Sequence, residues 1–230
     1  MPVVRVGDID MYYELDGEGP PLVLIGGLAS NIAETEWLTR AMARSNRVLA
    51  FDNRGAGRTD KPDAPYSIPM MAGDTDGLMG ALGIRQASVL GVSMGGRIAL
   101  ELALSYPDRV SQLILVSTMA AARTPETSTR LGLLTIVAGE LFQGSDRQAF
   151  RRQRQASGEY DCTDRLDRIH VPTTILHGRH DRVMRLRMAE EMHSGIEGSR
   201  MITFHGGHMF FMFRERKWFL DTVDTLLRNR

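Results

Sequence analysis

The chain is poor in cysteine. Among 230 residues Cys162 stands alone, so no internal disulfide can form and a reducing compartment is expected. Long apolar runs are missing too. The most apolar stretches, Leu22–Leu28 and Leu113–Val116, are of strand length, far below the about 20 residues a membrane helix needs. The opening Met1-Pro2-Val3-Val4-Arg5 lacks the apolar core of a secretory leader, which adds to the expectation of a cytoplasmic location. Net charge is absent: 28 Lys plus Arg balance 28 Asp plus Glu, leaving no broad attraction to nucleic acid or to an anionic membrane. There is no internal repeat and no low-complexity tract, and nothing in the sequence fixes an oligomeric state.

At 43% hydrophobic, the chain has enough apolar material for one sizeable α/β domain. Strands are predicted at 3–6, 11–16, 21–25, 48–51, 87–90, 113–117, 173–177 and 201–204. The first two alternate and lie close together, as an edge hairpin would. The others are continuous apolar runs, which suits strands covered on both faces of a parallel sheet. Helical patterns at 36–44, 68–82, 94–105, 185–196 and 215–228 fall between them, so strand and helix alternate and the class is α/β. Residues 119–169 break that rhythm with two helical patterns, 130–142 and 146–156, and no convincing strand. They are expected to form a short helical cap inserted into a core made of 1–118 and 170–230. The basic run Arg147, Arg151, Arg152 and Arg154 reads as the solvated face of a cap helix.

The segment Gly91-Val92-Ser93-Met94-Gly95 is a G-x-S-x-G motif, weak alone but informative in context. It follows the apolar run Ala87-Ser88-Val89-Leu90 and opens the helical pattern from Met94, so the serine falls on a sharp strand-to-helix turn. Such a turn strains the serine backbone and presents its hydroxyl at the carboxyl edge of the sheet, beside the N–H groups of a helix start.

In this setting the chain resembles the α/β-hydrolase fold family, with similarity to 3-oxoadipate enol-lactonase-like hydrolases and carboxylesterases. Phe51-Asp52-Asn53-Arg54-Gly55-Ala56-Gly57-Arg58-Thr59 is similar to the family's D-x-R-G-x-G-x-S segment, with Thr59 keeping the hydroxyl; Asp52 and Arg54 are expected to fix a loop beside the serine. Leu24-Ile25-Gly26-Gly27-Leu28 resembles the loop after the third strand. The resemblance implies an oxyanion hole built from the backbone N–H groups of Leu28 and Met94, with Gly27 beside the substrate. Gly26 stands where many members carry histidine, which changes what braces that loop.

A serine hydroxyl needs a histidine to take its proton and a carboxylate to orient that histidine. The resemblance points to Asp181, a few residues beyond the run Thr174-Ile175-Leu176, and to His208 in Phe204-His205-Gly206-Gly207-His208. Asp161, Asp164 and Asp167 are the rival acids and His205 is the rival base. His177 and His180 flank Asp181 without a metal-binding spacing, so no metal or other cofactor is expected. The expected reaction is hydrolysis of a small-molecule carboxylic ester or lactone through an acyl-enzyme on Ser93, at a rather open site because the cap is short. The same three side chains would also suit thioester or C–C bond hydrolysis, cofactor-free perhydrolysis, or a small-molecule receptor of this fold. Met209-Phe210-Phe211-Met212-Phe213, beside His208, is expected to pack the last helix, with an acyl pocket or a dimer contact as alternatives.

Overall fold

In the computed structural model, residues 2–121 and 147–229 are described. Each predicted strand is present, as β1 (Val3–Val6), β2 (Ile9–Asp16), β3 (Pro21–Ile25), β4 (Arg47–Phe51), β5 (Ala87–Val92), β6 (Val110–Val116), β7 (Thr173–Gly178) and β8 (Arg200–Phe204). They form one eight-stranded sheet in the order β1-β2-β4-β3-β5-β6-β7-β8, antiparallel at the β1/β2 and β2/β4 pairings and parallel from β4 to β8.

The helices are α1 (Ile32–Met42), α2 (Ile68–Ala81), α3 (Met94–Ser105), α4 (Arg147–Glu159), α5 (Leu186–Gly195) and α6 (Arg216–Arg228). Strand residues alternate between two layers of core. Val23, Leu49, Val89, Leu113 and Ile175 meet α2, α3 and α5 on one face, through residues such as Leu78, Ile98 and Met192. Their neighbours Leu22, Val48, Leu90, Ile114 and Leu176 meet α1 and α6 on the other, through Leu38, Met42, Phe219 and Val223. This two-sided cover explains why the central strands read as unbroken apolar runs. Full burial of a side chain such as Phe219 or Ile98 contributes roughly 1.5–3 kcal/mol each.

Several boundaries differ from the sequence expectation by a few residues, β6 for example starting at Val110 rather than 113, and two of them have a plain local reason. β2 begins at Ile9, two residues early, because Gly7, at φ +54°, and Asp8 close a tight turn and pairing resumes at once with Val6 opposite Ile9. α1 begins at Ile32, four residues early. Asn31 caps it by accepting from Glu34 N–H at 3.3 Å, and the Asn31 amide donates to the Glu34 carboxylate at 3.2 Å, a reciprocal cap that the apolar periodicity does not register. α4 runs through Gly158 to Glu159, three residues past the end of the helical pattern expected at 146–156.

Between β6 and β7 the described chain contains α4 and a 3-10 helix at Thr163–Arg168, and Ala121 bridges Asp161. The other helical pattern expected in this interval, 130–142, lies outside the described residues. Arg147, Arg151 and Arg154 are exposed, as expected of a solvated face, while Arg152 is half-buried and pairs with Asp63. Among the described residues no helix is long and apolar enough to cross a membrane.

Candidate active site

Every residue of the motif is shaped by close packing at the sheet edge. Ser93 stands at φ +55° and ψ −117°, a conformation that costs an L-residue of order 1–3 kcal/mol, and it leads directly into α3. The turn is over-determined: Ser93 N–H donates to Val116 C=O at 2.9 Å, and Ser93 C=O accepts from Gly96 N–H at 3.0 Å and the Thr118 hydroxyl at 2.7 Å. At Gly95 a Cβ would fall 2.1 Å from the Ile25 carbonyl oxygen, so only glycine lets α3 start this close to the end of β3. Gly27 passes on the other side, where an added methyl would stand 3.5 Å from Ser93 Cβ.

Asp181 and His208 arrive from the neighbouring strand ends. The segment after β7 is laced to the end of β8 and the loop beyond it by Arg179 N–H to Phe204 C=O at 2.7 Å and His180 N–H to Gly206 C=O at 3.1 Å. The Ser117 hydroxyl, from the end of β6, donates to His208 C=O at 2.9 Å. These bonds bring three side chains into one line. His208 Nδ1 lies 2.8 Å from Asp181 Oδ2, and His208 Nε2 lies 3.1 Å from Ser93 Oγ. Asp181 is fully buried at its side chain, and His208 keeps 18% exposure. Because a carboxylate only accepts, the His208 proton belongs on Nδ1, which leaves Nε2 free to accept from the serine hydroxyl.

None of the rivals reaches this line. Asp161 is occupied by Thr163 N–H at 2.9 Å and its hydroxyl at 2.6 Å, and Asp164 and Asp167 are exposed. His205 and His180 are exposed as well. In the run after His208, Phe210 and Phe211 are buried in an aromatic cluster with Phe204 and Phe219, as expected of packing against the last helix, whereas Met209 and Phe213 are 42% and 73% exposed. Among the described residues no group of three or more His, Cys, Asp or Glu side chains is arranged to hold a metal ion.

The loop after β3 carries Leu28, half-buried, and Met94 is the first residue of α3, where a helix N–H has no intrahelical acceptor. The loop's own bracing uses other groups. Ser30 N–H closes on Gly27 C=O at 3.2 Å, the Asn53 amide donates to Gly26 C=O at 3.1 Å, and Ala29 N–H donates to Gln153 Oε1 at 2.8 Å. Asn53 and Gln153 thus brace the segment in which Gly26 stands in place of histidine. The sequence did not single out Gln153. Its only signal was an uncharged polar residue on the face of α4 shared by Ala149, Phe150 and Ala156.

Asp52 and Arg54 do fix the neighbouring loop, though not by pairing with each other. Asp52 accepts from Ile32 N–H and Arg58 N–H, each at 2.8 Å. Arg54, 4% exposed, forks onto buried Asp74 at 2.7 Å through two nitrogens and onto Asp8 at 2.7 and 3.0 Å. Thr59 needs its hydroxyl, which accepts from Tyr12 N–H at 2.9 Å and donates to Asp52 C=O at 2.7 Å, a double role that serine could also fill.

His177 lies beneath the acid, with Nε2 2.8 Å from Met184 C=O and 3.7 Å from Asp181 Oδ2, while its Nδ1 is buried without a partner. Burial pushes this imidazole below its ordinary value of 6.5, so it stays neutral under Asp181. Unfolded chains then bind a proton at His177 more readily than folded ones, and stability contributed by the neutral ring is lost as pH falls below about 6.5. For His177→Gln, which keeps a donor toward Met184, the wild type's stability relative to the variant is expected to be constant above that pH. Below it the wild type should decline, with a limiting slope of about 1.4 kcal/mol per pH unit. Denaturant midpoints of both proteins from pH 5 to 8 check this, and parallel profiles would refute it.

A mostly parallel sheet with helices on both faces and a strained serine at the β5–α3 turn defines an α/β hydrolase architecture. The chain belongs to that family, since the profile described as alpha/beta hydrolase fold matches residues 20–159. It is similar to the putative carbamate hydrolase of Azorhizobium caulinodans, 37% identical over 122 residues, which is 53% of this chain and 46% of that protein. The alignment therefore spans less than half the length of that relative. It is also similar to the 2-hydroxymuconate semialdehyde hydrolase of Pseudomonas putida, 29% identical over 82% of this chain and 80% of that protein. Among solved structures, the enol-lactonase from Burkholderia xenovorans superimposes with a TM-score of 0.86 at 25% identity, covering 99% of this chain and all of the other.

Proposed function

We propose that the protein is a serine hydrolase that cleaves small carboxylic esters or lactones through an acyl-enzyme on Ser93. The observation that carries this reading is the continuous line Ser93 Oγ–His208 Nε2 and His208 Nδ1–Asp181 Oδ2, at 3.1 and 2.8 Å, with the serine on a positive-φ turn. Ser93 Oγ attacks the carbonyl carbon as its proton passes to His208 Nε2. The oxyanion forms against the N–H groups of Leu28 and Met94, with Gly27 alongside the acyl group. As the C–O bond breaks, His208 returns the proton to the departing alkoxide; in a lactone this group remains attached to the acyl chain. Water then repeats the sequence on the acyl-enzyme, releasing the acid and restoring Ser93. Asp181 holds the Nδ1 proton of the ring and stabilises the imidazolium. In this reading 119–169 is a cap over the acyl side, and α4 is the described helix of that cap.

The ester and lactone preference is supported by the likeness to the enol-lactonase, and the two sequence relatives name the alternatives to be tested. A panel of p-nitrophenyl esters of graded acyl length, aliphatic lactones, an aryl carbamate and 2-hydroxymuconate semialdehyde is expected to give kcat/KM at least about 100-fold higher for the best ester or lactone. Faster turnover of the carbamate or of the semialdehyde would replace this substrate class while leaving the Ser93 chemistry in place.

A further inference from the structure

Gln153 is fully buried on α4, yet both ends of its amide bind outside that helix, to the core. Its Oε1 accepts from Ala29 N–H at 2.8 Å, and its Nε2 donates to Arg54 C=O at 2.7 Å. Ala29 follows Leu28 and sits at φ +57°, a left-handed conformation that a non-glycine residue adopts only when its surroundings impose it. The amide therefore holds the strained residue next to Leu28, whose N–H is the oxyanion donor in the reading above, and it ties that loop to the segment that follows β4.

A second polar anchor lies one turn further along the same face of α4, where Arg97 of α3, 2% exposed, donates to both the hydroxyl and the carbonyl of Ser157. The rest of the buried face is Ala149, Phe150 and Ala156, whose apolar contacts are non-directional. Rotation and axial placement of α4 are therefore set by its hydrogen bonds.

We propose that Gln153 is a positioning residue for the oxyanion hole: from the inserted helix, it fixes the Leu28 N–H by holding Ala29. The proposal rests on the serine hydrolase reading above. Its chemistry is specific, because the site needs one acceptor and one donor at the same side-chain terminus. Methionine supplies the length with no donor and only a weak sulfur acceptor. Protonated glutamic acid supplies both, and ionised glutamate loses the donor and adds a charge beside a developing oxyanion.

The test measures p-nitrophenyl acetate turnover by wild type, Gln153→Met and Gln153→Glu from pH 5 to 8, with circular dichroism and thermal midpoints alongside. Gln153→Met is expected to lower kcat about 30–100-fold with KM within about threefold, since an oxyanion donor matters in the transition state more than in the bound substrate. Gln153→Glu is expected to approach wild-type kcat near pH 5, and its ratio to wild type should fall as pH rises. A folded Gln153→Met protein with kcat within threefold of wild type overturns the proposal, as does a pH-independent ratio for Gln153→Glu. If Gln153→Met does not fold, the glutamate ratio alone decides; loss of the fold in both variants overturns the proposal in favour of a purely structural role. Labelling of wild-type Ser93 by a fluorophosphonate separates the two levels. An unlabelled wild type brings down the serine reading and this proposal with it, whereas a labelled wild type beside an unaffected Gln153→Met brings down this proposal only.

Discussion

Ser93→Ala is expected to lower kcat toward p-nitrophenyl acetate by about 10⁵–10⁶-fold and to abolish fluorophosphonate labelling, with the fold intact. The size follows from what is removed. Without Oγ there is no atom 3.1 Å from His208 Nε2 to attack the carbonyl, and no acyl-enzyme can form. What survives is binding and oxyanion stabilisation of direct attack by water, worth about 10³–10⁴-fold over solution where it has been separated from the nucleophile. Stability should barely change, because alanine meets the same backbone strain at φ +55° and every hydrogen bond that holds the turn is made by main-chain atoms of Ser93. A folded Ser93→Ala protein within tenfold of wild type would end the nucleophile assignment.

Asp181→Asn is expected to cost about 10⁴-fold in kcat for a different reason, one of proton placement. Asp181 Oδ1 accepts from Val183 N–H and Met184 N–H, both at 2.8 Å, and Oδ2 faces His208 Nδ1 at 2.8 Å. An asparagine must keep its carbonyl oxygen toward the two N–H groups, because turning the amide would oppose donors to donors at both. That choice points NH₂ at His208 Nδ1, which can then meet it only as an acceptor. The ring proton moves to Nε2, and Nε2 no longer accepts from Ser93. Rate profiles against pH, with KM measured in parallel, check the expectation. A loss smaller than about 50-fold would show that Asp181 does not set the tautomer.

Much of this arrangement is legible in the sequence because it is local. α3 begins where the motif ends, and the central strands announce themselves as apolar runs because both of their faces are covered. Ser93, Asp181 and His208 come together because β5, β7 and β8 end at the same sheet edge, and each residue lies close to a strand that periodicity can find. What stayed hidden depends on partners distant in sequence. Arg54 takes Asp8, 46 residues away, and Asp74, 20 residues away, and no spacing rule selects those two acids from the 28 acidic residues present. Gln153 reaches Ala29 across 124 residues, and one of three glutamines in a basic helix gives no hint of that reach. The early start of α1 was hidden for the opposite reason: it rests on a two-residue polar exchange between Asn31 and Glu34, too short to alter a periodic pattern.

The aromatic cluster behind His208 gives the molecule an optical reporter. The chain has two tryptophans, one packed on the 204–219 segment and one within it: Trp37 stacks on Phe211 at 6.5 Å and lies under Arg216, while Trp218 meets Phe204 at 4.3 Å. Indole emission therefore comes from the structure on which the His208 loop is mounted. Any loosening of that mounting will register as a change in fluorescence while the rest of the sheet is still folded.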